Sequence, residues 1–233
     1  MQARSRGVER YVLQNAKILT GINWLVSPLL VSAIPLVIYF EPGDVFFRQF
    51  WAYKVAETFS PLLGALVGAN IFSMEWDLKT SECWLAKFQS RRLLQGLRFL
   101  IISAAILVLL IYLLALINVF YVRVNIFEGI MTIFPPSILL ANLGALSGLI
   151  SQNTIVAYLV PILYWFMDFT SRGKFTGIFY LFSRSVSGCY SNCEPAAGDL
   201  SWLQDKVAVL LLACCLAGLS LILLSSYEQL RRN

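Results

Sequence analysis

The sequence predicts an all-α integral membrane protein with six transmembrane helices, and three observations predict it. Only 13% of the 233 residues are charged and 58% are hydrophobic, whereas soluble domains carry roughly 25% charged residues. The mean hydropathy is +0.72. Uncharged apolar runs recur along the chain, several of them long enough as helices to cross a hydrocarbon core of about 30 Å. Six such spans leave no room for a sizeable soluble domain, so 1–233 is read as one transmembrane domain.

Residues 1–17 hold Arg4, Arg6, Arg10 and Lys17 against Glu9 alone. Polar and apolar residues alternate at roughly helical spacing over 8–19, which suits a helix lying in the membrane interface. A signal peptide is the competing reading. It fails because the apolar run that follows is too long and no A-x-A-like site closes it.

The first span is 18–40, 23 residues without a charge. Pro28 and Pro35 lie inside it, and a kink is expected there. The second span is 51–73. Lys54 and Glu57 lie at its outer end, three apart on one helical face. Two readings stay open: an interfacial pair that reaches water, or a polar point on a substrate path. Gly64 and Gly68 form a G-x-x-x-G that lets another helix approach closely.

Residues 74–98 are the one long charged interruption in the first half, with Lys79, Lys87, Arg91, Arg92 and Arg98 against Glu75, Asp77 and Glu82. The third span, 99–121, is rich in Leu and Ile. Residues 129–167 then run for 39 positions without a charge, too long for one helix in any bilayer. The polar cluster Ser151-Gln152-Asn153-Thr154 breaks that run. The fourth and fifth spans are therefore 130–150 and 155–169, joined by a tight turn. Gly144, Gly148 and Ala141 give the fourth a small-residue face for packing.

Residues 168–206 mix polar and apolar character. The apolar piece 175–182 is far too short to span, and a re-entrant or interfacial hairpin fits it. Cys189 and Cys193 follow. The sixth span is 207–227, in which Cys214 and Cys215 are read as packing residues.

Charge sets the orientation. With the N-terminus inside, the inner segments hold 11 basic and 5 acidic residues, net +6, and the outer ones 7 basic and 8 acidic, net −1; the sum is the +5 of the whole chain. A basic excess marks the cytoplasmic side, so both termini and 74–98 are expected inside. Cys189 and Cys193 then face outside, where either a disulfide or two free thiols is possible.

Composition also excludes. There is no histidine, which removes imidazole metal sites and Ser-His or Cys-His catalysis. No paired acidic motif lies within a span. No G-x-x-x-x-G-K-[ST] occurs, so the chain has no P-loop for ATP.

The order of these elements resembles the membrane subunit of ABC-2-type exporters over nearly the whole chain. The likeness lies in the basic interfacial N-terminal helix, six spans and both ends inside. A cytoplasmic helix between spans two and three and a re-entrant stretch between spans five and six complete it. The local match is Glu75 followed by Ser90-Arg91-Arg92-Leu93-Leu94. The chain departs from the family pattern at Lys79, where Gly is frequent, and at 87–89, where Pro is common.

The resemblance implies a coupling helix from Glu75 to about residue 88, seated in a cleft of a separate ATPase subunit. Glu75, Trp76, Asp77, Lys79, Glu82, Trp84, Lys87 and Arg91 would make that contact. Glu75 and Asp77 would favour the helix N-terminus. The alternative for this segment is an interfacial helix with Trp76 and Trp84 at the headgroups. The resemblance further implies a homodimer or a paired permease in a bacterial cytoplasmic membrane, surrounded by lipid, with no nucleic acid. ATP and magnesium would sit on the partner, with no cofactor, catalytic residue or metal on this chain. Spans one, two and five would line the cavity and the dimer contact, with Asn23, Ser60, Gly64, Gly68 and Asn70 as pathway or contact residues. Phe175, Phe179 and Phe182 would form an outer gate, and Cys189–Cys193 a possible disulfide. An amphipathic or hydrophobic cargo (a peptide, lipid or drug-like molecule) suits such a cavity. The competing functions are an ion-coupled secondary carrier, disfavoured by the scarcity of charge at mid-membrane depth, and a structural or assembly protein.

Overall fold

The computed structural model describes residues 28–35, 45–77, 91–182 and 201–232. These residues are helical apart from short connections, with no strand among them. We label the helices α1 (28–35), α2 (Val45–Asp77), α3 (Arg91–Phe120), α4 (Ile126–Ser151), α5 (Thr154–Ser171) and α6 (Ser201–Arg232), with a 3-10 turn at Gly177–Phe179. Among the described residues four segments are long and apolar enough to cross a membrane: Gly96–Phe120, Ile126–Ser151, Thr154–Ser171 and Leu203–Leu223. The chain is a membrane protein. The expected second span lies whole within α2, and α1 lies within the expected first.

Helices outrun the charge-free stretches that signal them. α2 has 33 residues and α6 has 32, about 50 Å each at 1.5 Å per residue. A charge ends an apolar span without ending a helix, so α3 begins at Arg91 rather than at 99. For the same reason α2 continues through Glu75 and Trp76 to Asp77. Glu75, Trp76 and Asp77 form the last turn of α2, and the remainder of the expected coupling helix, 78–88, lies outside the described residues.

The junction between α4 and α5 follows from two amides. Gln152 adopts a left-handed conformation, φ 52°, and its N–H donates to the Gly148 carbonyl, ending α4. The Asn153 side chain accepts from Ile155 N at 2.8 Å, starting α5. That is N-capping by a short amide, and it yields the tight turn the polar cluster predicts.

α4 is the central helix. In its most apolar window 83% of residues are buried, against 33% in α3, 22% in α6 and 17% in α5. Small residues permit this. A Cβ on Gly64 or Gly68 of α2 would overlap the α4 backbone at Ser137 or Ala141. One on Gly144 would lie 3.1 Å from the Ala157 carbonyl oxygen of α5 and 3.2 Å from Ala69 N of α2. Lipid is as apolar as leucine, so membrane helices associate through close packing of this kind. One interhelical hydrogen bond adds to it: buried Asn142 Nδ2 donates to Ala213 O of α6 at 2.8 Å.

Two expectations about packing change. Gly64 and Gly68 are occupied by α4 of the same chain, so that face is closed to a second copy. Cys214 and Cys215 are exposed free thiols on α6 rather than core residues. Consecutive positions on a helix point about 100° apart, and on this stretch of α6 the inward face is taken by Lys206, Val209 and Ala213.

Candidate functional site

At one end of the bundle the start of α2, the end of α5 and the start of α6 meet. The sequence places one charge near each of these ends: Glu57, Asp168 and Lys206. All three side chains are buried. A buried charge is stable only when paired and hydrogen-bonded, and the fold supplies both.

Lys206 Nζ donates to Glu57 Oε1 at 2.6 Å. It also donates to the Leu181 carbonyl. The Leu181 N–H in turn donates to Asp168 Oδ2 at 2.7 Å, and Thr176 Oγ1 donates to Asp168 Oδ1. A single residue, Leu181, thus has its carbonyl on the lysine and its N–H on the aspartate. Glu57, Lys206, Leu181 and Asp168 form one chain of bonds across three helices.

The stretch after α5 is folded back onto these groups. Arg172 at φ 51° and Gly173 at φ 77° reverse the chain. A Cβ on Gly173 would sit 2.8 Å from the Tyr180 ring, so glycine suits this position on both counts. The reversal brings Tyr180, Leu181 and Phe182 into the core and leaves Phe175 and Ile178 outside. Tyr164 of α5 donates its hydroxyl to the Phe179 carbonyl at 3.2 Å. Rings of Trp165 and Phe169 stack at 5.5 Å, and Phe182 meets both edge-on at 6.4 and 6.0 Å. Burial, with Asp168 adding to it, raises the Tyr180 phenol above its usual range, so it stays protonated at neutral pH.

α2 is joined to α5 at the same level. Pro61 cannot donate to the carbonyl four residues back, and membrane helices tolerate this where neighbours compensate. Beside it Trp165 Nε1 donates to the Thr58 carbonyl at 2.8 Å.

An apolar cleft of about 350 Å³ lies between α1, α2 and α5. Leu30, Ala33 and Ile34 of α1, Phe59, Leu62, Leu63, Ala65 and Leu66 of α2, and Tyr158 and Ile162 of α5 line it. Such a surface can hold hydrocarbon. It offers nothing to a strongly charged ligand.

The sequence-derived candidates fall out unevenly. Glu57 does not pair with Lys54 at an interface: it pairs with Lys206 in the interior, and Lys54 Nζ lies 5.3 Å from the Trp51 ring centre instead. Ser60 is buried, and its hydroxyl has no hydrogen-bond partner among the described residues. Asn70 lies on α2 and Arg91 opens α3. Phe175 is exposed, Phe179 half-buried and Phe182 buried, so the three expected gate phenylalanines do not form one cluster. Asn23, Lys79, Glu82, Trp84, Lys87, Cys189 and Cys193 lie outside the described residues. Lys206 and Asp168 are the members of this buried network that sequence reasoning did not single out. The signal was there, since the charge-based topology puts Glu57, Asp168 and Lys206 on one side of the membrane with complementary signs.

Among the described residues no group of three or more His, Cys, Asp or Glu side chains could hold a metal ion. Compared with family models, curated proteins and solved structures, the chain finds no match.

Proposed function

We propose that the chain is the membrane-spanning permease subunit of an ATP-driven ABC-2-type exporter that moves an amphipathic or hydrophobic substrate outward. The observation that carries this reading is the place of the apolar cleft. It lies between α1, α2 and α5, the three spans that the exporter resemblance assigns to the pathway. The stretch folded back between α5 and α6 stands where that resemblance expects an outer gate.

On this reading there are six spans in a bacterial cytoplasmic membrane, both termini and 74–98 are inside, and the chain pairs with a second permease. A separate ATPase subunit binds ATP and magnesium. It pushes on the segment around Glu75 and Trp84, and the cleft is exposed to each side in turn. The chain itself performs no catalysis.

A second reading is favoured by one specific observation. Glu57, Lys206 and Asp168 are charged groups buried among helices, and such groups mark ion pathways in carriers. They weaken the charge-scarcity argument against an ion-coupled transporter. Purification of the tagged chain in mild detergent separates the two. A stoichiometric P-loop partner, with ATP hydrolysis lost in Trp84→Ala, supports the exporter. A chain that purifies alone and drives uptake from an ion gradient, lost in Glu57→Gln, overturns it in favour of the carrier.

A further inference from the structure

We propose that residues 172–182 are a strap that swings off the bundle as a unit, with Asp168 as its latch and the Glu57–Lys206 pair as a fixed seat that stays formed when the strap leaves. The argument begins with how the strap is held. Its internal bonding is a turn and little more: Gly177 N to Gly173 O at 2.8 Å, Phe179 N to Thr176 O at 3.1 Å and Tyr180 N to Gly177 O at 3.2 Å. Its attachment to the bundle combines three buried side chains, Tyr180, Leu181 and Phe182, and the Tyr164 hydroxyl on the Phe179 carbonyl with polar bonds that converge on Asp168 and Lys206. Both Asp168 oxygens are spent on the strap, one on Thr176 Oγ1 and one on Leu181 N. Lys206 gives the strap one bond, to the Leu181 carbonyl, and keeps another to Glu57.

Release therefore affects the charges unequally. When Leu181 departs, Lys206 retains a carboxylate partner 2.6 Å away. Asp168 loses two donors at once, and its charge then needs water, which departure of the strap admits. Buried hydrogen bonds in a low-dielectric setting are costly to leave half-made. Partial lifting is thus disfavoured, and the strap is either seated or free. The outer face is ready for that motion, since Phe175 is 83% and Ile178 62% exposed. The hinge side carries the left-handed pair Arg172 and Gly173. The groups that hold the strap share α2 and α5 with the apolar cleft, whose lining includes Phe59 of α2 and Ile162 of α5, so its release opens the bundle on the helices that form the cleft.

Native-state hydrogen exchange on the full chain in lipid nanodiscs tests this, because local opening exchanges amides independently of global unfolding. The amides of Gly177, Phe179, Tyr180 and Leu181 are expected to exchange together, about tenfold or more faster than those of α4, with α5 and α6 still protected. Asp168→Asn is expected to speed the strap amides by about a further tenfold and to leave α4 at its wild-type rate. Thr176→Val, which lies on the strap itself, is expected to act in the same direction and keeps the test usable if the aspartate variant does not insert. Strap amides that exchange only with the core of α5 and α6 overturn the proposal, as does either variant accelerating α4 as much as the strap. The measurement needs no ATPase partner, so its failure and that of the exporter reading are distinguishable.

Discussion

Lys206 Nζ lies 2.6 Å from Glu57 Oε1, and each side chain is only 1% exposed although the residues are 149 positions apart. A pair this deep resists the loss of one partner far more than the loss of both. Glu57→Leu or Lys206→Met is expected to cost about 3–5 kcal/mol, because a buried charge loses its oppositely charged partner. The double variant is expected to cost less than either single one, with the remaining penalty at the Leu181 carbonyl, which loses a donor worth about 1–3 kcal/mol when left unsatisfied. Thermal unfolding of the four proteins in detergent, read as a double-mutant cycle, checks this. Additive costs would show that the two charges do not depend on each other.

The glycines of α2 and those of α3 and α6 should behave in opposite ways. Gly64→Leu and Gly68→Leu drive side chains into the α4 backbone, and overpacking of this kind costs about 1–3 kcal/mol or more. Gly96→Ala and Gly218→Ala meet nothing within 4 Å. They should be neutral or stabilising by up to about 1 kcal/mol, since alanine is the better helix former. Melting temperatures of the four variants decide the matter, and equal losses at all four sites would refute the packing assignment.

Asn142 donates to Ala213 O across the α4–α6 contact. Asn142→Leu keeps the volume and removes the donor. Interhelical hydrogen bonds in membranes contribute about 0.6–2 kcal/mol, and a loss of that size is expected in reversible unfolding from bilayers or detergent. A loss several times larger would mean that Asn142 holds more than α6.

Ala33 lines the apolar cleft and is itself exposed. Ala33→Trp is expected to fill the cleft without disturbing the core. Binding of an apolar fluorescent probe should weaken about tenfold or more, because such sites take most of their affinity from buried apolar surface. The melting temperature should stay at the wild-type value. Unchanged probe binding would remove the cleft from the pathway.

Much of the architecture was legible because membrane helices announce themselves locally. The turn at Ser151–Thr154 was readable as the only polar cluster in 39 uncharged residues, and both of its amides cap the helices they join. The small face of α4 was readable from Gly144 and Gly148. What was hidden is partner choice. Lys54 lies nearer to Glu57 in sequence than Lys206 does, and helical spacing alone favours it. The real pairing depends on how three helix ends converge, which no local pattern encodes. α2 and the start of α3 run beyond the expected spans for a different reason: hydropathy reports where lipid is, and hydrogen bonding carries a helix past it.

The burial of α4 also bears on how the protein is made. Its most apolar window has a hydropathy of 1.7, against 3.1 for α3, and it buries Ser137 and Asn142. During synthesis it leaves the ribosome after α2 and α3 but before α5 and α6. It would then meet acyl chains on faces that the finished protein keeps for other helices. Of its neighbours, α2 and α3 are already in place, and α2 carries the two glycines that fit the α4 backbone. The expected order of assembly is that α4 docks on α2, and the later helices then close around that pair.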